Sequence, residues 1–216
     1  FNFDYTRDGR ERPPQDYYEQ IKEKFASERE LRLGYRPPGT DNYTSDLTGD
    51  LAKYAVDPYG QELEDREALN DEVEVLFIGG GFSALLTSAR LREKGVESIR
   101  IVERGADVGG PWYWNRYPGV ACDVVAYDYL PLLDETGYVP TRHYAGGQEI
   151  YEYCKMIAER FDLYDLAVFG TTVTSTIWDA DSETWKVETD QGDTITARFV
   201  VCANGTLSKP RLAKID

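Results

Sequence analysis

The chain has 216 residues, room for one large domain or one and a half small ones, and its 41% apolar content suffices for a core. A formal net charge of −15 argues against nucleic acid or an anionic membrane surface as partner, and no apolar run approaches the length of a membrane span. Cys122, Cys154 and Cys202 are far apart and lack C-x-x-C spacing, and His143 is the single histidine, so no metal site, dithiol centre or histidine-dependent triad is expected, and a reducing cytoplasm fits.

The first residues, Phe1 to Arg7, have no signal-peptide core and no initiator Met, so the sequence is expected to begin inside a longer product. Pro13-Pro14, Pro37-Pro38-Gly39 and Asp57-Pro58 signal turns or linkers. Between the first two, the spacing of Tyr17, Ile21 and Phe25 predicts a helix over 15–33, with Gly34 as its stop. A shorter helical piece is predicted over 46–55. Residues 57–74 carry eight acidic side chains and one basic one, Arg66, and read as a solvated acidic connector. Residues 1–70 are therefore expected to be a helical extension packed on a larger body, because one apolar stripe cannot form a core alone.

The body, residues 71–216, opens on Val73, Val75, Leu76, Phe77 and Ile78, a strand-like run suited to burial on both faces of a parallel sheet. Gly79, Gly81 and Ala84 then fit G-x-G-x-x-A. The first glycine allows the tight turn, the second lets a pyrophosphate reach the backbone, and the third small residue lets helix pack on strand. A helix is predicted over 83–94, with phosphate charge at its N-terminus. A second strand over 98–102 ends at Glu103, whose carboxylate can accept hydrogen bonds from an adenosine ribose. An acid rather than a base there favours FAD or NAD over NADP. A tight turn without ligand is the plainer reading of glycines alone; strand, helix, second strand and acid together point to dinucleotide binding.

Next comes Gly109-Gly110-Pro111-Trp112-Tyr113-Trp114-Asn115-Arg116-Tyr117-Pro118-Gly119. Its glycines permit backbone to lie against a ligand, and its aromatics offer flat surfaces with N–H and O–H donors. The same composition also suits an aromatic core loop. A helix is predicted over 148–160, with Ile150, Cys154 and Ile157 on its core stripe. Strands over 172–178, 184–189 and 194–201, separated by acidic turns, read as a β-meander, and Gly205 after the last reads as a second close-approach glycine. The fold class is thus α/β: a Rossmann-like FAD-binding domain with a parallel sheet and an added β-meander, preceded by a helical N-terminal extension.

The tryptophan-rich run through Asp123, following Gly79-Gly80-Gly81-Phe82-Ser83-Ala84 and Glu103, resembles the FAD-binding half of a class-I Baeyer–Villiger monooxygenase. Thr171-Thr172-Val173 and Ala203 to Ser208 resemble further stations of that pattern, and the likeness runs over about residues 73–210. The resemblance implies that Gly79, Gly81 and Ser83 hold the FAD diphosphate and Glu103 the adenosine ribose. It places Gly110, Trp112 and Tyr129 toward the flavin and the Val173 backbone against the adenine. Asp123 matches an active-site aspartate that sits beside the flavin and supports a catalytic arginine; from its sequence setting alone it could equally be a turn or cap residue. The implied activity uses NADPH, FAD and O₂ to convert a ketone into an ester or lactone.

Two departures stand out. Ala121 replaces an arginine common two residues before the aspartate, which would redistribute NADPH contacts, and Val125-Ala126 stand where Glu-Ser is frequent. A second G-x-G-x-x-G, the F-x-G-x-x-x-H-x-x-x-W signature and the catalytic arginine do not occur in the 216 residues. The resemblance therefore implies an N-terminal part whose partner is the remaining C-terminal polypeptide, with the complete protein active as the enzyme and the 216 residues alone expected to be inactive. The rival readings are an N-hydroxylating monooxygenase or disulfide reductase of similar build, and a non-catalytic FAD-binding subunit.

Overall fold

The computed structural model describes residues 14–34, 43–44, 47–60, 63, 66–207 and 212–213. Pro13, the turn at Pro37-Pro38-Gly39, the predicted helix start at Asp46, part of the acidic stretch (Glu62, Glu64 and Asp65), Ser208 and the end of the chain at Asp216 lie outside the described residues. The chain divides into two compact units, Phe1–Ser45 with Arg211–Asp216, and Asp46–Pro210.

In the first unit, helix α1 (Gln15–Gly34) follows the predicted span, and Tyr17 and Phe25 on its stripe are 47% and 65% exposed. Strand β1 (Tyr43–Thr44) pairs antiparallel with the last strand, β8 (Leu212–Ala213).

The second unit begins with a 3-10 turn, Gly49–Tyr54, where the sequence predicts a short helical piece. Strand β2 (Asn70–Ile78) comes next, then helix α2 (Phe82–Glu93) and strand β3 (Ile99–Val102). Three single-turn helices follow: α3 (Pro111–Trp114), α4 (Ala126–Tyr129) and α5 (Leu133–Thr136). Helix α6 (Gly147–Arg160) and the short strand β4 (Ala167–Val168) lead to β5 (Val173–Asp179), β6 (Thr184–Thr189) and β7 (Thr194–Cys202).

The sheet order is β4-β3-β2-β7-β6-β5. Strands β4, β3, β2 and β7 run parallel, while β5–β6–β7 form the antiparallel meander. Strand β7 belongs to both parts, so the meander is an outgrowth of the parallel sheet rather than a separate layer.

Each face of the sheet has its own core. Val75, Phe77, Ile99 and Ile101 pack with Ala84, Leu85 and Ala89 of α2 and Ile150, Cys154 and Ile157 of α6. Val73, Leu76, Val102, Val187, Ile195 and Ala197 form the other cluster. The amides of Glu74 and Val75 both donate to the Ser98 carbonyl at 3.1 Å, and across this irregularity Val73 and Val75 turn to opposite faces. That is why the strand reads as a nearly continuous apolar run.

The acidic stretch before β2 is not a solvated connector throughout. Arg66 forms a bidentate pair with Asp193, Nη1 to Oδ1 at 2.7 Å and Nη2 to Oδ2 at 2.6 Å. Asp193 also accepts the Leu69 amide at 2.7 Å and the Thr189 hydroxyl at 2.6 Å, and its side chain is fully buried. The one base among eight acids has a designated partner in the β6–β7 turn, which composition could not reveal.

Candidate dinucleotide site

The parallel strands β2, β3 and β7 end together, and the turns beyond their carboxyl ends enclose a cavity of about 320 Å³. This is where an open parallel sheet offers a crevice for a ligand. Gly79, Gly81, Phe82 and Ser83 line one side; Glu103, Arg104, Gly110 and Trp114 another; Thr171, Thr172, Val173, Asn204 and Gly205 complete it.

Gly79 has φ +107°, and its amide donates to the Val102 carbonyl at 2.8 Å. A Cβ there would fall 2.7 Å from the Ala203 carbonyl oxygen, so the close approach is made at Gly79. Gly205, expected from sequence to be a close-approach position, has φ +62° and open space around it; the left-handed backbone, not crowding by protein, is what favours glycine there.

Gly81 is the residue before α2 and supplies no side-chain cap to it. The first amides of any helix lack intrahelical acceptors, and here that end opens on the cavity through Gly81, Phe82 and Ser83. Gly110 (φ +55°) meets Gly81 backbone to backbone, a Cβ on it falling 3.1 Å from the Gly81 Cα. The first-turn amides are therefore reachable by an anion, which suits a diphosphate. Ala84, fully buried behind the turn, is the small residue that lets α2 lie on the sheet.

Glu103 is 6% exposed and holds two backbone amides, Gly80 N to Oε2 at 2.5 Å and Gly105 N to Oε1 at 2.6 Å. Burial raises its pKa above the ordinary value, and the Gly105 and Gly80 amides oppose that shift. Each carboxylate oxygen retains a further lone pair for a hydroxyl donor. The sequence suggested a ribose acceptor; the structure adds that the same carboxylate fixes the glycine turn, holding Gly80 in place.

The aromatic loop is arranged by partners along its whole length. Trp112 Nε1 donates to the Tyr129 hydroxyl at 2.8 Å, and Phe82 meets the Tyr129 ring edge-on at 5.6 Å. Trp112 and Tyr129 do not line the cavity; Trp114 does, beneath the Arg104 guanidinium at 4.6 Å. Tyr113 turns inward, 1% exposed, and donates to Asp57 at 2.7 Å. Burial, then the Asp57 carboxylate, push the Tyr113 phenol far above its usual pKa. Asp107 accepts the hydroxyls of Tyr151 at 2.5 Å and Tyr164 at 2.9 Å, tying the loop to α6.

Asp123 is exposed, apart from the cavity, on a stretch pinned by Cys122 N donating to the Ala145 carbonyl at 3.0 Å. Val173, the first residue of β5, lies on the cavity wall. The structure thus gathers Gly79, Gly81, Ser83, Glu103, Gly110 and Val173, and sets Trp112, Tyr129 and Asp123 outside that group. Sequence reasoning did not name Arg104, Trp114, Thr171 or Asn204 individually as lining residues, although Trp114 lies in the aromatic loop it singled out, Thr171 and Asn204 lie in stretches that carry the resemblance, and Arg104 follows Glu103.

Residues 78–133 match the model of an NAD(P)-binding Rossmann-like domain. A Baeyer–Villiger monooxygenase of Streptomyces coelicolor is 48% identical over 90% of this chain and 32% of its own length. Neopentalenolactone D synthase of Streptomyces avermitilis is 46% identical over 91% of this chain and 33% of its own length. The chain spans about a third of the length of these curated relatives. Among solved structures, a polycyclic ketone monooxygenase from Thermothelomyces thermophila superposes with TM-score 0.78 at 32% identity, over 94% of this chain and 35% of that one. A steroid monooxygenase bound to NADP gives TM-score 0.58 at 39% identity, over 62% of this chain and 26% of that one.

Proposed function

We propose, from the homology of this chain to Baeyer–Villiger monooxygenases, that residues 71–216 are the FAD-binding part of such an enzyme, with residues 1–70 as its extension. The observation that carries the proposal is the uncapped N-terminus of α2 facing the cavity, with backbone rather than side chains at Gly81 and Gly110.

FAD fits the residues present. The diphosphate would take the amides at Gly81, Phe82 and Ser83, and an adenosine ribose would donate to the free lone pairs of Glu103. Thr172 and Val173 would form the wall against the adenine. Bound there, FAD supplies the redox chemistry by which NADPH and O₂ insert one oxygen atom into a ketone.

The chain's own part is orientation. Trp112 and Tyr129, fixed to each other by their hydrogen bond, would present a rigid aromatic surface on the flavin side. Burial raises the Tyr129 pKa, so its hydroxyl stays a neutral hydrogen-bonding group. Asp123, exposed at the end of a pinned loop, would meet a catalytic arginine from the remaining polypeptide, and NADPH would bind largely outside this chain. Among the described residues no helix is long and apolar enough to cross a membrane. The three cysteines are unpaired, which supports a reducing cytoplasm as the compartment.

Flavin released from the purified protein and identified by mass spectrometry tests the reading. One FAD per chain is expected; protein that carries FMN, or takes up no flavin when FAD is supplied, would overturn it.

A further inference from the structure

We propose that Asp57, Tyr59, Leu63 and Arg66 form a clasp on the cofactor cavity, and that Asp57 is a positioning residue controlling how long FAD stays bound; this rests on the FAD reading above. These four residues lie in what composition presents as an acidic connector, yet their contacts lead to the two loops flanking the cavity.

At one end, Asp57 Oδ2 accepts the Tyr113 hydroxyl at 2.7 Å and the Ala106 amide at 3.1 Å. Its Oδ1 accepts the Tyr59 amide at 2.9 Å, which turns the Tyr59 ring edge-on to Tyr113 at 5.7 Å. Arg116 lies over both rings, 3.7 Å from the centroid of Tyr59 and 4.9 Å from that of Tyr113. Tyr113 in turn packs at 5.1 Å against Trp114, which lines the cavity.

At the other end, Arg66 Nη2 donates to the Thr171 hydroxyl at 3.1 Å while pairing with Asp193. Thr171 is also a lining residue, and Leu63 covers Gly170, where a Cβ would fall 2.5 Å from its Cδ1. The two flanking loops are joined directly as well, Thr171 N to the Glu103 carbonyl and Gly170 N to the Gly105 carbonyl, both at 3.0 Å.

Both loops lack regular structure beyond the single turn of α3. Such segments open locally at little cost and must be ordered when a ligand binds. A clasp that orders them beforehand removes that cost and slows release of the ligand. Asp57 does not line the cavity and, among the described residues, hydrogen-bonds toward it through Tyr113 and Ala106, so it acts by positioning rather than by contact.

The test measures FAD association and dissociation rates in the holoprotein for wild type, Asp57→Ala, Tyr113→Phe and the double variant, with melting temperatures of the apoproteins. Each single variant should raise the dissociation rate about tenfold, as loss of one to two pre-ordered side chains implies. The association rate should stay near wild type, and the double variant should add little. Asp57→Asn keeps an acceptor for the Tyr113 hydroxyl and should recover part of the effect. Ile157→Val, a core change away from the cavity, supplies the comparison for plain destabilisation. Unchanged dissociation in both single variants would overturn the proposal, as would an increase no larger than in an Ile157→Val protein of equal melting temperature. Wild-type protein that binds no FAD would overturn the functional reading itself, a result distinct from either.

Discussion

Gly79 lies so close to Ala203 that a Cβ on it would fall 2.7 Å from the Ala203 carbonyl oxygen, while a Cβ on Gly81 would meet only Gly110, at an ordinary 3.5 Å. The two glycines of the turn therefore have different duties. Gly79→Ala should destabilise the apoprotein by at least about 2 kcal/mol, from a crowded contact and a left-handed φ of +107°. Gly81→Val should leave the apoprotein folded and abolish FAD binding, because the side chain occupies the path of the diphosphate. Thermal melts with flavin occupancy check both; a Gly81→Val protein with full yellow occupancy would contradict the site assignment.

Glu103 uses both carboxylate oxygens to hold the amides of Gly80 and Gly105. Glu103→Gln sets an NH₂ donor against one of those N–H donors. The expected loss is roughly 1.5–3 kcal/mol of stability, the range for a hydrogen bond to a charged group, together with weaker FAD binding. Chemical denaturation of the apoprotein separates the first effect from the second.

The Arg66–Asp193 pair should govern acid stability. The Arg66 hydrogen bonds hold the Asp193 carboxyl well below its ordinary value near 3.8, with burial opposing and the Leu69 amide and Thr189 hydroxyl assisting. A depressed folded-state pKa means that the unfolded chain binds the proton more readily, so this stabilisation is complete above about pH 3.8 and is lost as pH falls below it. Arg66→Ala strands a buried carboxylate and should cost about 3 kcal/mol at neutral pH. Its melting temperature should also fall less steeply than wild type between pH 4 and pH 2, the window set by that depressed pKa.

Much of the framework was legible in the sequence because it is local. The run Val73 to Ile78, the glycine turn, the helix after it and Glu103 at the end of the next strand all declare themselves within about thirty residues. The meander declared itself through alternation and acidic turns. What the sequence hid is long-range: Arg66 and Asp193 are 127 positions apart, Asp57 and Tyr113 are 56 apart, and no spacing rule links them. Composition made residues 57–74 look solvated, whereas several of their side chains, Asp57, Arg66 and Asp71 among them, make specific contacts with the body. The direction of each aromatic was hidden too. Trp112, Tyr113 and Trp114 are consecutive on one helical turn, so their rings must diverge, toward Tyr129, Asp57 and the cavity respectively.

Ser88 on α2 is fully buried, and its hydroxyl has no hydrogen-bond partner among the described residues. Ser88→Ala removes an unsatisfied polar group and adds a better helix former, and should stabilise the fold by about 1 kcal/mol. A melting temperature below wild type would show that the hydroxyl has a partner or that its volume matters to the packing of α2.

The proposed role of this chain is the FAD site of a larger enzyme that oxygenates ketones. The most direct measurement supplies the FAD-loaded complete enzyme, this chain together with the remaining C-terminal polypeptide, with NADPH, a panel of ketones and ¹⁸O₂, and analyses the products by mass spectrometry; the chain alone is expected to be inactive. The account predicts an ester or lactone containing one ¹⁸O atom, formed with consumption of NADPH and lost in the Gly81→Val variant. NADPH oxidation that yields no oxygenated ketone across a panel of substrates, or ¹⁸O delivered to a primary amine instead, would contradict it.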